Sequence, residues 1–330
     1  MQIVRLTGGS GVAIDTLPVP EPQAGQVLIR TAVSALCGSE LSTYRGQGST
    51  QGNPGHEAAG VVEKLGPDVA SLQPGQRVGV SAISGCGTCL PCQQGQYTWC
   101  AQKAFFGSMH AEYFVIPALA CHPLPDNLSW EVGALISGDG FGVPYHTSTK
   151  LTDPAIARVA VFGAGPIGQG QVLLQTHLGR QVIAVDLSAR RREYALAWGA
   201  VLVLDPVQIE PVAAIREFTD GGAEACIEAA GKPATAKQCF QAVRTAGIVV
   251  FNGEQPAVEL SPSEDFIRRD VWAVGSWYYH FSEFPRMLAL HRAGAPVAKL
   301  ITHHFPLSEA SEAYRAMAAG ETGKVLLHYS

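Results

Sequence analysis

Four cysteines stand within a stretch of fifteen residues, and thiols at such close spacing can bind a metal ion. Their spacing is C-x2-C-x2-C-x7-C, formed by Cys86, Cys89, Cys92 and Cys100. Four thiolates close a tetrahedral shell around zinc and leave no position open to a substrate, so such a site is structural. The alternative, a disulfide framework, needs an oxidising compartment. We therefore predict a structural zinc in a lobe of about residues 84–102.

A glycine-rich loop is the second group whose pattern predicts a chemistry. It follows a short apolar segment and matches G-x-G-x-x-G, with the residues Gly163, Gly165, Pro166, Ile167 and Gly168. In this pattern the first glycine permits a tight turn, the second lets the backbone approach a pyrophosphate, and the third lets the helix pack close to the strand. The N-terminus of the helix then offers free N–H groups to the phosphates. We predict that this loop binds a dinucleotide.

An acid at the end of the next apolar segment bears on the choice of cofactor. Asp186 lies eighteen residues after Gly168, about the spacing at which an acid binds the adenosine ribose hydroxyls. Its carboxylate would repel the 2′-phosphate of NADP, which favours NAD. Because Arg190, Arg191 and Arg192 follow closely and could bind that phosphate, NADP stays open as the less favoured cofactor.

The pattern of secondary structure that the sequence predicts for positioning these groups changes near residue 150. Up to about residue 145, short apolar runs alternate with Gly and Pro, which is typical of an irregular, barrel-like β domain. Beyond it, apolar strands such as 181–186 alternate with helical segments such as 189–198. This alternation predicts an α/β fold with a doubly wound parallel sheet covered on both faces. From about residue 294 we expect the tail to return to the first domain.

The composition excludes several classes of protein. The 330 residues carry 23 Lys and Arg against 28 Asp and Glu, a net charge of −5, which argues against nucleic acid as the main partner. An apolar share of 47% and a charged share of 15% argue against a disordered chain. No apolar run reaches the ~18 residues of a membrane span, and no basic-then-apolar segment opens the sequence. We expect a soluble, cytoplasmic protein.

Further motifs give the chain a resemblance to a known family over essentially its full length. The motifs, in chain order, are Cys37-Gly38-Ser39, Gly55-His56-Glu57, the four-cysteine lobe, the glycine loop and Thr322-Gly323-Lys324-Val325. With them the sequence resembles the medium-chain, zinc-containing alcohol dehydrogenases. The resemblance implies a GroES-like catalytic domain at 1–145 and 294–330 and a Rossmann dinucleotide-binding domain at 146–293. It also implies a homo-oligomer, either a dimer or a tetramer.

The resemblance implies a second, catalytic zinc with three protein ligands and one open position. The first two ligands fall on Cys37 and His56, and the third falls on Asp139, counted back from Tyr145. His146 is the competing third ligand. A thiolate, a carboxylate and a neutral imidazole leave a divalent zinc near neutrality, so the ion remains a Lewis acid that lowers the pKa of bound water or alcohol.

The same resemblance implies roles for residues that lie near these ligands in the sequence. Ser39 would hydrogen-bond the zinc-bound oxygen and begin the proton path, and Glu57 would orient His56 or serve as a transient extra ligand. The sequence departs from the family at Ser42, where relatives often have a histidine that continues the proton path, and at Glu40, where they usually have Asp. The path beyond Ser39 therefore stays open.

Four more residues are implied as cofactor contacts. Arg191 would lie near the adenosine ribose, Lys324 would bind the pyrophosphate, and Gly275 and Ser276 would lie near the nicotinamide. The implied reaction is reversible hydride transfer from a zinc-bound alkoxide to NAD(P). The residues expected at the substrate pocket mix aromatic and polar groups, which favours a secondary alcohol, a polyol or a sugar-derived alcohol; they are Ser39, Tyr44, His110, Phe141, His146 and Tyr278. Two alternatives remain: a quinone or enoyl reductase of the zinc-free type, and a non-catalytic regulatory protein that binds NAD or zinc.

Overall fold

Strands and helices are both abundant in the structure, a computed structural model that describes residues 1–329. The strands are β1 (Gln2–Gly8), β2 (Gly11–Thr16), β3 (Gln26–Ala35), β4 (Ala58–Leu65), β5 (Arg77–Val80), β6 (Ile83–Ser84), β7 (Ala104–Phe105), β8 (Tyr113–Pro117), β9 (Cys121–Pro123), β10 (Arg158–Phe162), β11 (Gln181–Val185), β12 (Leu202–Leu204), β13 (Ala223–Glu228), β14 (Val243–Phe251), β15 (Trp272–Gly275), β16 (Ile301–Pro306) and β17 (Lys324–His328). The α-helices are α1 (Leu41–Arg45), α2 (Leu90–Gln93), α3 (Trp130–Ile136), α4 (Asp139–Ser148), α5 (Pro166–His177), α6 (Ala189–Ala197), α7 (Pro211–Phe218), α8 (Pro233–Ala242), α9 (Phe284–Arg292) and α10 (Ala310–Ala318).

A sheet of seven strands dominates the first structural unit, which comprises residues 1–142, 279–293 and those from 297 on. The strand order is β16-β17-β3-β4-β5-β9, and β8 also pairs with β3. Strands β16 and β17 pair in parallel, whereas the pairs that involve β3, β4 or β5 are antiparallel. Val27 and Ile29 of β3, Val62 of β4 and Val78 of β5 enter one buried apolar cluster. This packing holds the ends of β3 and β4 in fixed positions.

Six parallel strands form the sheet of the second unit, residues 143–278 and 294–296. Their order is β12-β11-β10-β13-β14-β15. The chain winds outward from β10 to β12, returns to pair β13 with β10, and winds outward again to β15. The order therefore reverses between β10 and β13, and ligands of such sheets bind at the carboxyl ends of the strands at this point. The prediction of a doubly wound parallel sheet is confirmed.

The segment 279–293 falls in the first unit, whereas the sequence places it in the dinucleotide-binding domain. Its contacts explain the difference: the Tyr279 hydroxyl donates to the carbonyl oxygen of Ser137 at 2.6 Å, and Phe284 stacks on His122 with ring centroids 4.1 Å apart. No helix within residues 1–329 has the length and apolar character that crossing a membrane requires.

Candidate active site

Three predicted metal ligands from distant parts of the sequence lie together in the first unit. Cys37 follows β3 and His56 precedes β4, and the antiparallel pairing of Ser34 with Ala58 brings these two strand ends side by side. Asp139 begins α4, and its Oδ2 lies 3.4 Å from the Cys37 Sγ and 3.1 Å from the His56 Nε2. The three ligand atoms therefore face one small volume.

The chemistry of these groups fits a zinc ion. The Oδ1 atom of Asp139 is buried and has no hydrogen-bond partner among residues 1–329. Burying an unpaired oxygen costs free energy unless a bound ligand or metal ion interacts with it. The Nδ1 atom of His56 lies 2.8 Å from the Pro54 carbonyl oxygen, which leaves Nε2 for a metal. Burial lowers the pKa of His56, but the negative charges of Cys37 and Asp139 outweigh it and hold that pKa well above its usual value. A divalent cation can replace the proton that these charges attract.

A buried ion pair supports the site. Glu57 is fully buried, and the ammonium of Lys324 pairs with its Oε1 while the backbone N–H of Gly140 donates to Oε2 at 3.0 Å. A side chain on Gly138 would meet Glu57 Oε2 at 2.8 Å, and one on Gly140 would meet the Lys324 stem at 3.1 Å. The glycines on either side of Asp139 therefore allow the pair to reach the start of α4.

This placement differs from the role that the resemblance implies for Lys324. The sequence assigns it to the pyrophosphate, but the structure leaves 1% of the residue exposed and directs its ammonium to Glu57. Burial lowers the pKa of Lys324, yet the charges of Glu57, Cys37 and Asp139 outweigh this and raise it. Lys324 thus stays charged, and its ammonium offsets the negative charge of Glu57 beside the site.

The remaining predicted catalytic residue lies at the surface of the same unit. Ser39 is exposed in a single 3-10 turn, Gly38–Glu40, directly after Cys37. Its carbonyl oxygen accepts a hydrogen bond from the exposed Ser42 hydroxyl at 3.0 Å.

The ligand atoms of Cys37, His56, Glu57 and Asp139 all lie within 4.8 Å of one another. This group, found among residues 1–329, does not include His146.

The four cysteines of the lobe form a second cluster of possible metal ligands. Their Sγ atoms lie within 4.8 Å of one another, with 3.4 Å between Cys89 and Cys92 and 4.0 Å between Cys86 and Cys92. In a zinc tetrahedron with Zn–S bonds of about 2.3 Å, neighbouring sulfurs are about 3.8 Å apart. Hydrogen bonds from Thr88 lower the pKa of the Cys86 thiol to about 5, whereas burial raises the pKa of the Cys92 thiol to about 12. The geometry matches a closed four-thiolate shell.

The glycine loop lies in the second unit between β10 and α5, at the reversal of strand order. Gly163 has a φ of +93°, and a side chain on Gly168 would overlap the carbonyl oxygen of Gly163. Gly165 is the N-cap of α5 and Pro166 occupies its first turn. A side chain on Gly165 would meet Arg191 only at 3.7 Å, so the space in front of the helix N-terminus is open. The loop has the form that admits a phosphate.

Asp186 is fixed beside this loop at the end of β11. Its Oδ2 accepts from the backbone N–H of Ala164 at 2.7 Å, and its Oδ1 accepts from that of Ser188 at 2.8 Å. The guanidinium of Arg191 lies 3.8 Å from Oδ2, and its Nε is buried without a hydrogen-bond partner among residues 1–329. Asp186 and Arg191 therefore lie close together next to Gly165.

Two polar residues that sequence reasoning missed lie beside Ser276. The Ser276 hydroxyl is 3.0 Å from that of Thr147, and the Asn252 amide donates to the Ser276 carbonyl oxygen at 3.1 Å. Asn252 follows β14 as Ser276 follows β15, so both lie at the carboxyl edge of the sheet. Gly275 is exposed at the same edge. Position after a parallel strand is the one signal that could have drawn attention to Asn252.

Comparison with known proteins agrees with both units. A family described as alcohol dehydrogenase GroES-like domain matches residues 23–126, and one described as zinc-binding dehydrogenase matches residues 166–293. The chain is 30% identical to a sorbitol dehydrogenase of Bombyx mori, with 98% of this chain and 97% of that protein covered. It is 28% identical to an L-threonine 3-dehydrogenase of Chromobacterium violaceum, with 99% of each covered. The solved structure of alcohol dehydrogenase TADH from Thermus sp. ATN1 superposes with a TM-score of 0.88 at 28% identity and covers 100% of both chains.

A GroES-like domain joined to a Rossmann-type parallel sheet defines an oxidoreductase of the dehydrogenase type. The chain belongs to the zinc-dependent medium-chain alcohol dehydrogenase family. The predicted fold class and family are confirmed.

Proposed function

We propose that the protein is a zinc-dependent, NAD-linked dehydrogenase that interconverts a secondary alcohol, polyol or sugar-derived alcohol and its carbonyl product. The observation that carries the proposal is the convergence of Cys37, His56 and Asp139, with one buried carboxylate oxygen that finds no partner within residues 1–329. Three ligands leave a fourth position for a substrate, whereas the four-cysteine lobe leaves none. The proposal includes one catalytic zinc and one structural zinc per chain.

In this proposal the residues of the site bind the metal, orient a ligand or transfer a proton. Zinc, when bound, supplies a Lewis acid that makes an alcohol hydroxyl more acidic, and the nicotinamide cofactor accepts the hydride. Cys37 and Asp139 bring two negative charges to the metal, and the Pro54 carbonyl oxygen holds the His56 ring in orientation. Ser39, exposed two residues after Cys37, is the group proposed to take up the alcohol proton and release it towards solvent.

The choice of NAD rests on Asp186. Two backbone N–H groups fix its carboxylate beside the glycine loop, where it can accept hydrogen bonds from ribose hydroxyls and repel a 2′-phosphate. Arg191, at 3.8 Å, weakens that repulsion without removing the carboxylate. The second unit is thus the proposed dinucleotide-binding domain and the first the proposed catalytic domain. Metal-binding thiolates persist in reducing surroundings, so the cytoplasm is the proposed location.

The relatives support the proposed substrate class. A sorbitol dehydrogenase acts on a polyol and an L-threonine 3-dehydrogenase acts at a secondary hydroxyl, and both align with nearly the whole chain. A secondary alcohol or polyol is therefore the first class of substrate to test.

A panel of alcohols and ketones, assayed with NAD and NADP on protein of known metal content, tests this function. We expect oxidation of at least one secondary alcohol or polyol, with kcat/KM at least about tenfold higher for NAD, since repulsion worth ~1.4 kcal/mol gives that factor. Two zinc ions per chain should be present in the same sample.

The same panel separates the alternatives. Absence of turnover in both directions from protein with two zinc ions per chain would contradict the proposal and favour a regulatory role. Reduction of quinones or enoyl compounds by metal-free protein would favour the zinc-free type of reductase.

We also propose that two or more copies of the chain associate through β15. This strand lies at the edge of the six-stranded sheet, and Trp272 on it is 74% exposed. An open strand edge that carries an exposed aromatic side chain is a template for pairing with a second copy.

Trp272→Glu is expected to lower the molar mass measured by analytical ultracentrifugation from that of an oligomer towards that of one chain. The reason is that the substitution would bury a charge in the interface. Trp99→Glu is the matched control, since Trp99 is similarly exposed on the cysteine lobe. A wild-type monomer, or a Trp272→Glu variant of unchanged mass, would contradict the assembly.

A further inference from the structure

Glu40 is a buried carboxylate directly behind one of the proposed metal ligands. It is 0% exposed, and its Oε1 accepts a hydrogen bond from the backbone N–H of Cys37 at 2.9 Å. The Nε2 atom of His110 lies 3.0 Å from its Oε2, and the Tyr314 hydroxyl donates to the same oxygen. One carboxylate therefore binds the Cys37 turn, the segment before β8 and helix α10.

His110 extends this connection to the second ligand. A side chain on Gly55 would overlap the His110 ring, so the ring packs directly against the residue before His56. The side-chain oxygen of Asn53 accepts from the backbone N–H groups of Gly55 at 3.1 Å and His110 at 3.2 Å. The backbone N–H of Met109 donates to the carbonyl oxygen of Gly55 at 3.0 Å. The segment that carries His56 is thus fastened to His110.

One assignment of protons satisfies every member of this group. Tyr329 donates to the Ser34 hydroxyl at 2.8 Å, which donates to the Nδ1 of His110 at 2.8 Å. His110 then donates from Nε2 to Glu40, as Tyr314 does from its hydroxyl. A buried carboxylate with donors on both oxygens is held rigidly, since leaving any of these groups unpaired would be costly.

We propose that Glu40 is a positioning residue for the proposed three-ligand zinc site, acting through Cys37 on one side and through His110 on the segment of His56 on the other. The inference rests on the proposed function. Glu40 has one methylene more than the Asp of the family pattern, and the structure uses that length to reach His110 and Tyr314. Tyr314 lies on α10, far along the chain from Cys37. Because it donates to the carboxylate that holds the Cys37 backbone, the packing of α10 contributes to the position of that ligand.

The test is Tyr314→Phe, which removes one hydroxyl from the group and keeps the ring. Tyr44→Phe is the matched control, because the Tyr44 ring stacks on Tyr314 with centroids 5.4 Å apart and belongs to the same apolar cluster. Two readouts report on the metal rather than on folding. They are the rate at which a chelator removes zinc from the three-ligand site, and the visible absorption of protein with cobalt(II) at that site and zinc in the lobe.

Tyr314→Phe is expected to release zinc from the three-ligand site on the order of tenfold faster and to shift the cobalt bands, as loss of a partner behind a metal ligand does. Release from the lobe should not change, and Tyr44→Phe should match the wild type. Glu40→Asp should show the same direction of change with a larger effect, and if it fails to fold, Tyr314→Phe alone decides. Wild-type spectra and release rates in Tyr314→Phe would overturn the inference, whereas a wild-type protein that binds no metal between residues 37, 56 and 139 would overturn the proposed function as well.

Discussion

Cys37→Ser is expected to abolish turnover and to lower the zinc content from two ions per chain to one. The Sγ of Cys37 lies 3.4 Å from Asp139 Oδ2 and supplies the only thiolate of the three proposed ligands. A hydroxyl of the same shape stays protonated at neutral pH and binds zinc weakly. Since Lewis-acid catalysis contributes several kcal/mol, the loss in kcat/KM should exceed about a thousandfold.

The control is internal to the molecule, because the lobe cysteines lie on separate elements from Cys37. Elemental analysis should find the lobe zinc retained in Cys37→Ser, and thermal unfolding should show that the chain remains folded. Normal activity, or loss of both ions, would defeat the assignment of Cys37 as a catalytic ligand.

Asp139→Ala refines the same experiment. The variant should lose zinc from the three-ligand site because the imidazole and thiolate alone leave it short of one ligand. Full retention of that zinc would transfer the third ligand to Glu57, whose carboxylate belongs to the same 4.8 Å group.

Features that depend on neighbouring residues could be predicted from the sequence. Gly163 needs a positive φ and Gly168 tolerates no side chain against Gly163, so the geometry of the glycine loop can be read from its spacing. The sequence pattern predicts a helix over 189–198, and α6 spans Ala189–Ala197. It also predicts a strand over 181–186, and β11 spans Gln181–Val185. In each case local sterics and apolar periodicity determine the element.

Features that depend on distant residues could not be predicted from spacing. The Lys324–Glu57 pair joins residues 267 positions apart, and the His110–Glu40 bond joins residues 70 apart. The partners that place the segment 279–293 in the first unit, Ser137 and His122, become visible only in the fold. The Thr-Gly-Lys ending by itself shows a basic residue, and nothing in it shows whether the charge faces a cofactor or a buried acid.

Lys324→Met is expected to destabilise the protein strongly, because it leaves the Glu57 carboxylate buried without a counter-charge. Breaking a buried ion pair at one partner costs ~3–5 kcal/mol in free energy of unfolding. For a chain of 330 residues that corresponds to a fall in Tm of about 4–7 °C. Burial raises the pKa of Glu57 and Lys324 lowers it, so without Lys324 the carboxyl should become protonated more readily. Calorimetry of the variant and the wild type measures the effect.

The double variant Glu57→Gln/Lys324→Met distinguishes an ion pair from a cofactor contact. The amide oxygen introduced by Glu57→Gln can still accept the Gly140 N–H, and the pair then carries no charge, so most of the lost stability should return. If Lys324 bound the pyrophosphate instead, Lys324→Met would raise the KM for NAD at nearly unchanged Tm, and Glu57→Gln would not restore it. Because Lys324 pairs with the carboxylate that holds the N–H of Gly140, next to Asp139, Lys324→Met should additionally weaken zinc binding, which loss of a phosphate contact alone would not do.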